Sequence, residues 1–119
     1  MARILLADDD AATRDLVRRA LEADGHTVHV TQDGGEALEC VKGAQRFDLL
    51  VSDVEMPLLD GITLAERAFP LHPGLRVLLM SGFAEQLERA KALKGPRVAV
   101  ISKPFTLEQV KGAVRKLLA

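Results

Sequence analysis

Tryptophan and tyrosine are absent and only four phenylalanines occur in 119 residues, so the stacking surfaces that flavins or unpaired bases use are scarce. One cysteine, Cys40, cannot close an intramolecular disulfide, and with three scattered histidines it offers no Cys/His set for zinc. No apolar run approaches the about 20 residues that cross a bilayer. Met1 leads into a short apolar segment, not into the basic stretch and apolar core of a signal peptide. An excess of one charge is also missing: 16 Lys and Arg stand against 17 Asp and Glu, which argues against a dedicated nucleic-acid binder. The expectation is a cytoplasmic protein that engages neither nucleic acid nor membrane. The charge is nevertheless uneven, with 6 basic and 13 acidic side chains in residues 1–60 and 10 basic and 4 acidic in 61–119. Two halves packed together with solvated faces account for that asymmetry.

The length suits one domain, 1–119, with 48% hydrophobic residues to build its core. Five short apolar runs, Ile4–Ala7, Val28–Thr31, Leu49–Ser52, Val77–Met80 and Val98–Ile101, read as strands buried on both faces. Helical spacing lies between them. Leu16, Val17, Ala20 and Leu21 form a stripe that ends at Gly25, and Ala37, Leu38 and Val41 form another closed near Gly43. Leu64, Ala65, Ala68 and Phe69 predict a third helix stopped by Pro70, and Ala84 through Leu93 a fourth before Gly95-Pro96. Leu107, Val110, Val114, Leu117 and Leu118 predict a fifth, opened by a capping box of Thr106 and Gln109. Strict alternation with right-handed crossovers implies an α/β fold, a doubly wound five-stranded parallel sheet.

In such sheets the ligand site lies beyond the carboxyl ends of the strands. There the first run is followed by Asp8, Asp9 and Asp10, the third by Asp53, the fourth by Ser81 and the fifth by Lys103. Singly, each has a plain reading: Asp10 as a helix cap, Ser81 before Gly82 as a turn residue, Lys103 as a surface charge. Together they place carboxylates, a hydroxyl and an ammonium on one rim. Crowded carboxylates call for a cation, and Mg²⁺ takes oxygen ligands while keeping sites for a phosphate oxygen. Asp9 and Asp53 are the expected ligands, with Asp8 in support.

Ile4-Leu5-Leu6-Ala7-Asp8-Asp9-Asp10, Asp48-Leu49-Leu50-Val51-Ser52-Asp53-Val54-Glu55-Met56-Pro57 with Asp60-Gly61, Met80-Ser81-Gly82 and Ser102-Lys103-Pro104-Phe105 occur in this order. With them the chain resembles the receiver domain of two-component response regulators from Arg3 to Leu118. The resemblance implies a flavodoxin-like (βα)5 receiver fold in which Asp53 accepts a phosphoryl group from a phosphohistidine on a histidine kinase or histidine phosphotransferase. It implies Mg²⁺ held by Asp9, the Asp53 side chain and the Glu55 backbone carbonyl, with Asp8 holding a metal-bound water. Lys103 and Ser81 would meet the phosphoryl oxygens, and Ser81 would carry the switch to the surface of helix four, strand five and helix five. A cis Lys103–Pro104 bond is expected on the same ground.

The sequence also departs from the family. Val100 stands three residues before the lysine, where many receivers carry Tyr or Phe, so Phe83 or the backbone alone would report the switch. Glu55 and Phe83 occupy positions suspected of tuning hydrolysis of the acyl phosphate. The chain stops after the fifth helix, which predicts a stand-alone receiver without an output domain. Its 81–84 and 98–107 segments look similar to the CpdR type, whose members adapt a protease to its substrates. Arg14, Arg18 and Pro104 are the exposed candidates for docking the phosphodonor, with Arg14 and Arg18 equally readable as an i,i+4 pair on a solvated face. Lys111, Arg115 and Lys116 read mainly as cations favouring a helix C-terminus. The chain would be a monomer or a phosphorylation-dependent dimer, not an enzyme with turnover. Two other readings stand: a binding module that never becomes phosphorylated, and a small Mg²⁺-dependent phosphatase of the haloacid dehalogenase type. Against the phosphatase, Ala12 replaces the usual Thr or Val, no acidic pair follows Lys103, and a cap has no room.

Overall fold

The computed structural model describes residues 1–93 and 95–119. Strands and helices alternate as β1 (Arg3–Ala7), α1 (Ala11–Ala23), β2 (Thr27–Thr31), α2 (Gly34–Lys42), β3 (Leu49–Asp53), α3 (Gly61–Leu71), β4 (Arg76–Ser81), α4 (Ala84–Lys91), β5 (Val98–Ser102) and α5 (Leu107–Leu118). The strands pair in parallel in the order β2-β1-β3-β4-β5. Alternate side chains of a strand point to opposite faces, so each central strand feeds two cores. Leu5, Leu50, Val77 and Leu79 pack with Val41, Leu64, Ala68 and Ala90 under α2, α3 and α4. Ile4, Leu6, Val51, Leu78 and Met80 pack with Val17, Leu21, Val110 and Val114 under α1 and α5.

Burial on both faces holds for β1, β3 and β4 but not for β2, where Thr27, His29 and Val30 are exposed, or for half-buried β5. Those two strands are the sheet edges, and alternation alone does not say which strands end up there. Pro70 does not stop α3 but lies within its last turn, and His72 N–H still donates to Ala68 O at 2.9 Å. A proline removes only its own N–H and crowds the carbonyl four residues back, which a final turn tolerates. Helix α4 ends at Lys91, short of Leu93. Leu16, expected in the buried stripe of α1, is 52% exposed.

Four of the helices open on a side-chain cap: Asp10, Asp33, Asp60 and Thr106 accept from the backbone N–H of Thr13, Glu36, Thr63 and Gln109. The Thr106–Gln109 capping box forms as expected. Helix α4 begins at Phe83 with no side-chain cap.

Close approach, not backbone conformation, demands glycine at the start of α3. A Cβ on Gly61 would lie 2.2 Å from Asp53 O and 2.9 Å from Ser52 Oγ. Since Gly61 N–H also donates to Val54 O at 2.9 Å, α3 cannot retreat without breaking that bond. Gly61→Ala is expected to lower stability by about 2–4 kcal/mol, read as a lower urea midpoint at unchanged slope. An unchanged midpoint would mean that α3 slides at no cost.

Candidate phosphoryl-acceptor site

The carboxyl ends of β1, β3, β4 and β5 open on one rim, and the register of the sheet decides what stands there. Asp53 is the last residue of β3, paired with Met80, and Ser81 is the last of β4, paired with Ser102. The sequence reading ended both strands one residue early; each chemical group is held by the ladder itself. Lys103 follows β5 directly, and its N–H donates to Ser81 O at 2.8 Å. The Lys103–Pro104 bond is cis, as expected.

Asp53 is buried, at 4% exposure, and its Oδ2 accepts from Lys103 Nζ at 2.9 Å. Its Oδ1 is buried with no hydrogen-bond partner. Asp8 is fully buried; Oδ1 accepts from Asp10 N–H at 2.9 Å, whereas Oδ2 is also without a partner. Asp8, Asp9 and Asp53 each bring one carboxylate oxygen to within 4.8 Å of the others. Two unpartnered buried oxygens within a cluster of three carboxylates are an unfavourable arrangement for the bare protein. Among the described residues this is the one cluster of three potential metal ligands, and its all-oxygen donors fit a hard divalent cation such as Mg²⁺.

The charges respond accordingly. Burial, reinforced by the Asp53 charge and opposed by the Asp10 N–H, pushes the Asp8 carboxyl up to about 6. Burial also raises Asp53; Lys103 pulls it back, and Glu55 and Asp9 push it further up. Desolvation draws the Lys103 ammonium down, but its hydrogen bond to Asp53 and the surrounding carboxylates leave it above its ordinary value. It is fully cationic at neutral pH.

Ser81 Oγ donates to Glu55 Oε2 at 2.6 Å and accepts from Phe83 N–H at 3.2 Å. The sequence reading used only the backbone carbonyl of Glu55 and a possible effect on hydrolysis, so this side-chain partnership is new. No periodicity or motif signals it. Phe83 is 64% exposed at the mouth of α4, and Val100 is half-buried against the core under that helix.

Some expected surface residues have other employment. Arg14 is half-buried and donates through Nη1 to Asp8 O at 2.9 Å, bracing the acidic loop. Arg18 is likewise half-buried and pairs with Asp15 and with Glu22 at 3.0 Å, leaving Pro104 as the exposed member of the three docking candidates. Arg115 holds Asp24 through Nε and Nη2, each at 2.9 Å, tying α5 to the end of α1.

A doubly wound parallel sheet with an acidic pit, a hydroxyl and a lysine at its strand ends narrows the class to small α/β domains with a polar strand-end site. Residues 4–115 match the response regulator receiver domain, and the chain belongs to that family, whose place is two-component signalling. It is 40% identical over 123 residues to the response regulator receiver protein CpdR of Brucella abortus (strain 2308), covering 99% of this chain and 98% of that one. It is 38% identical over 116 residues to response regulator MprA of Mycobacterium ulcerans (strain Agy99), covering 98% of this chain but 50% of the relative. The chain thus spans about half the length of the MprA relatives it matches. A response regulator receiver protein from Sinorhizobium medicae WSM419 superimposes with a TM-score of 0.89 at 30% identity, covering 98% and 93% of the two chains.

Proposed function

We propose that this receiver accepts a phosphoryl group on Asp53 from a phosphohistidine of a histidine kinase or histidine phosphotransferase, in a Mg²⁺-dependent reaction. The observation that carries this reading is the divided environment of Asp53: Oδ2 is held by Lys103 and Oδ1 is buried and free. Oδ1 has the lone pairs to form the bond to phosphorus as the phosphorus–nitrogen bond of the donor breaks and the imidazole leaves. Lys103 orients the acceptor and neutralises charge on the transferred group, and the Ser81 hydroxyl is a second donor for it. Asp9, Asp53 and the Glu55 backbone carbonyl would hold Mg²⁺, with Asp8 supporting it through water, and the ion would supply charge neutralisation for the clustered oxygens. None of these residues completes a cycle with turnover; the acyl phosphate is a stored state, lost slowly to water.

The donor docks beside α1. Leu16, Val17, Pro104, Phe105 and Leu107 line a groove of about 280 Å³ next to Lys103, which accounts for the exposure of Leu16. The output is a change in the α4-β5-α5 surface read by another protein. The resemblance to the CpdR type, to whose Brucella member the chain is 40% identical, supports an output as an adaptor to a protease or its adaptor system. Phosphorylation-dependent pairing of two copies through that surface belongs to the same reading.

Intact mass after incubation with Mg²⁺ and a small phosphodonor tests the chemistry. One phosphoryl adduct is expected on the wild type, and none on Asp53→Asn or with chelator present. A folded wild type that binds Mg²⁺ without forming an adduct would favour the unmodified binding module instead.

A further inference from the structure

We propose that the Glu55 carboxylate is a latch that keeps Ser81 from serving the acceptor until a phosphoryl group outcompetes it. This inference rests on the reading of Asp53 as phosphoacceptor. A serine hydroxyl carries one proton and can donate once. Here its near acceptor is Glu55 Oε2 at 2.6 Å, with Phe83 O far weaker at 3.5 Å. Ser81 Oγ in turn accepts from Phe83 N–H at 3.2 Å. A continuous chain therefore runs from Phe83 N–H through the Ser81 hydroxyl to Glu55, joining the mouth of α4 to the loop after β3. Ser81 cannot donate to a group on Asp53 without leaving Glu55, and Phe83 N–H must follow the hydroxyl or lose its partner.

Glu55 is thus a positioning residue that acts through Ser81. Its own charge also bears on the pit, because it lies close enough to influence both Asp53 and Lys103. Plain repulsion of an incoming anion would therefore mimic a latch in any single variant. The two are separable because the latch requires the hydroxyl and repulsion does not.

The probe is beryllium fluoride with Mg²⁺, which reproduces a phosphoryl group on a carboxylate. Its affinity is read by fluorine NMR and by calorimetry on the wild type, Glu55→Ala, Glu55→Gln, Ser81→Ala and the two double variants. Breaking the latch is expected to tighten binding about tenfold in Glu55→Ala, and less in Glu55→Gln, whose neutral oxygen still accepts the hydroxyl. In the Ser81→Ala background the gain from Glu55→Ala is expected to shrink to the part that relief of charge repulsion supplies. Phe83 N–H is expected to show its bound-state chemical shift more fully in Glu55→Ala before any ligand is added. An equal gain with and without Ser81, or no gain, overturns the latch while leaving Asp53 as the acceptor. Failure of the wild type to bind the probe, with Mg²⁺ bound and the fold intact, removes the acceptor reading and the latch with it.

Discussion

Lys103→Ala is expected to destabilise the metal-free protein by about 2–3 kcal/mol at neutral pH and to slow phosphorylation of Asp53 by roughly 10²- to 10³-fold. The two losses share an origin. Asp53 is buried, and Lys103 Nζ at 2.9 Å is the cation that hydrogen-bonds its carboxylate. Without the ammonium, one oxygen joins the other in having no partner. The lysine side chain is 28% exposed, so water softens the penalty to the lower part of the range for a broken buried pair. Protonation limits it further. Burial already lifts the Asp53 carboxyl, and removing Lys103 removes the main influence pulling it back. An acid whose folded pKa is raised contributes stability that is present at low pH and lost as pH rises through that pKa. The deficit of Lys103→Ala should therefore be small in acid and full at neutral pH. Urea titrations at the two pH values check this; a deficit independent of pH would mean that the lysine stem, not its charge, holds the site.

Asp8→Asn is expected to do the opposite to the bare protein. Its carboxyl rises from 3.8 to about 6 because the carboxylate is buried beside Asp53 and Asp9. Ionised Asp8 is thus a standing cost in the folded state above pH 6. The shift corresponds to at most about 3 kcal/mol, and relaxation with water access reduces it to about 1–2 kcal/mol. Asparagine keeps the oxygen that accepts Asp10 N–H and replaces the unpartnered oxygen by an amide donor. A rise in melting temperature of roughly 3–8 °C at neutral pH without metal follows. The sign with pH is fixed by linkage: wild-type Asp8 contributes its full relative stability below about 4 and loses it as pH passes through 6. The advantage of Asp8→Asn therefore disappears in acid. Mg²⁺ should raise the melting temperature of the wild type and leave the variant nearly unmoved. A wild type indifferent to Mg²⁺ would show that the acidic cluster is not a metal site.

The site's skeleton was legible because it is written in strand ends. Continuous apolar runs such as Leu49–Ser52 announce buried strands, and whatever follows them stands on the rim; Asp8, Asp53, Ser81 and Lys103 were all found in this way. The sheet margins were not legible, because the run Val28–Thr31 looks like a buried strand until strand order puts it at an edge. Pro70 misled because its effect depends on how many turns remain after it. The side-chain bonds of Arg14 and Glu55 were not legible, for a common reason. Their partners, Asp8 O and Ser81 Oγ, are chosen by side-chain torsions in the folded protein, and no spacing encodes those.

The missing cap on α4 has a thermodynamic meaning. Asp10, Asp33, Asp60 and Thr106 each fasten a helix start with a bond of about 1 kcal/mol; Phe83 fastens none. Among the described helices, the first turn of α4 therefore lacks the stabilisation that a side-chain cap gives the other four. A chemical event at the carboxylate pit need not deform a rigid body to be felt outside. It has only to change how Ser81 holds Phe83 N–H at a helix start that has no side-chain cap of its own.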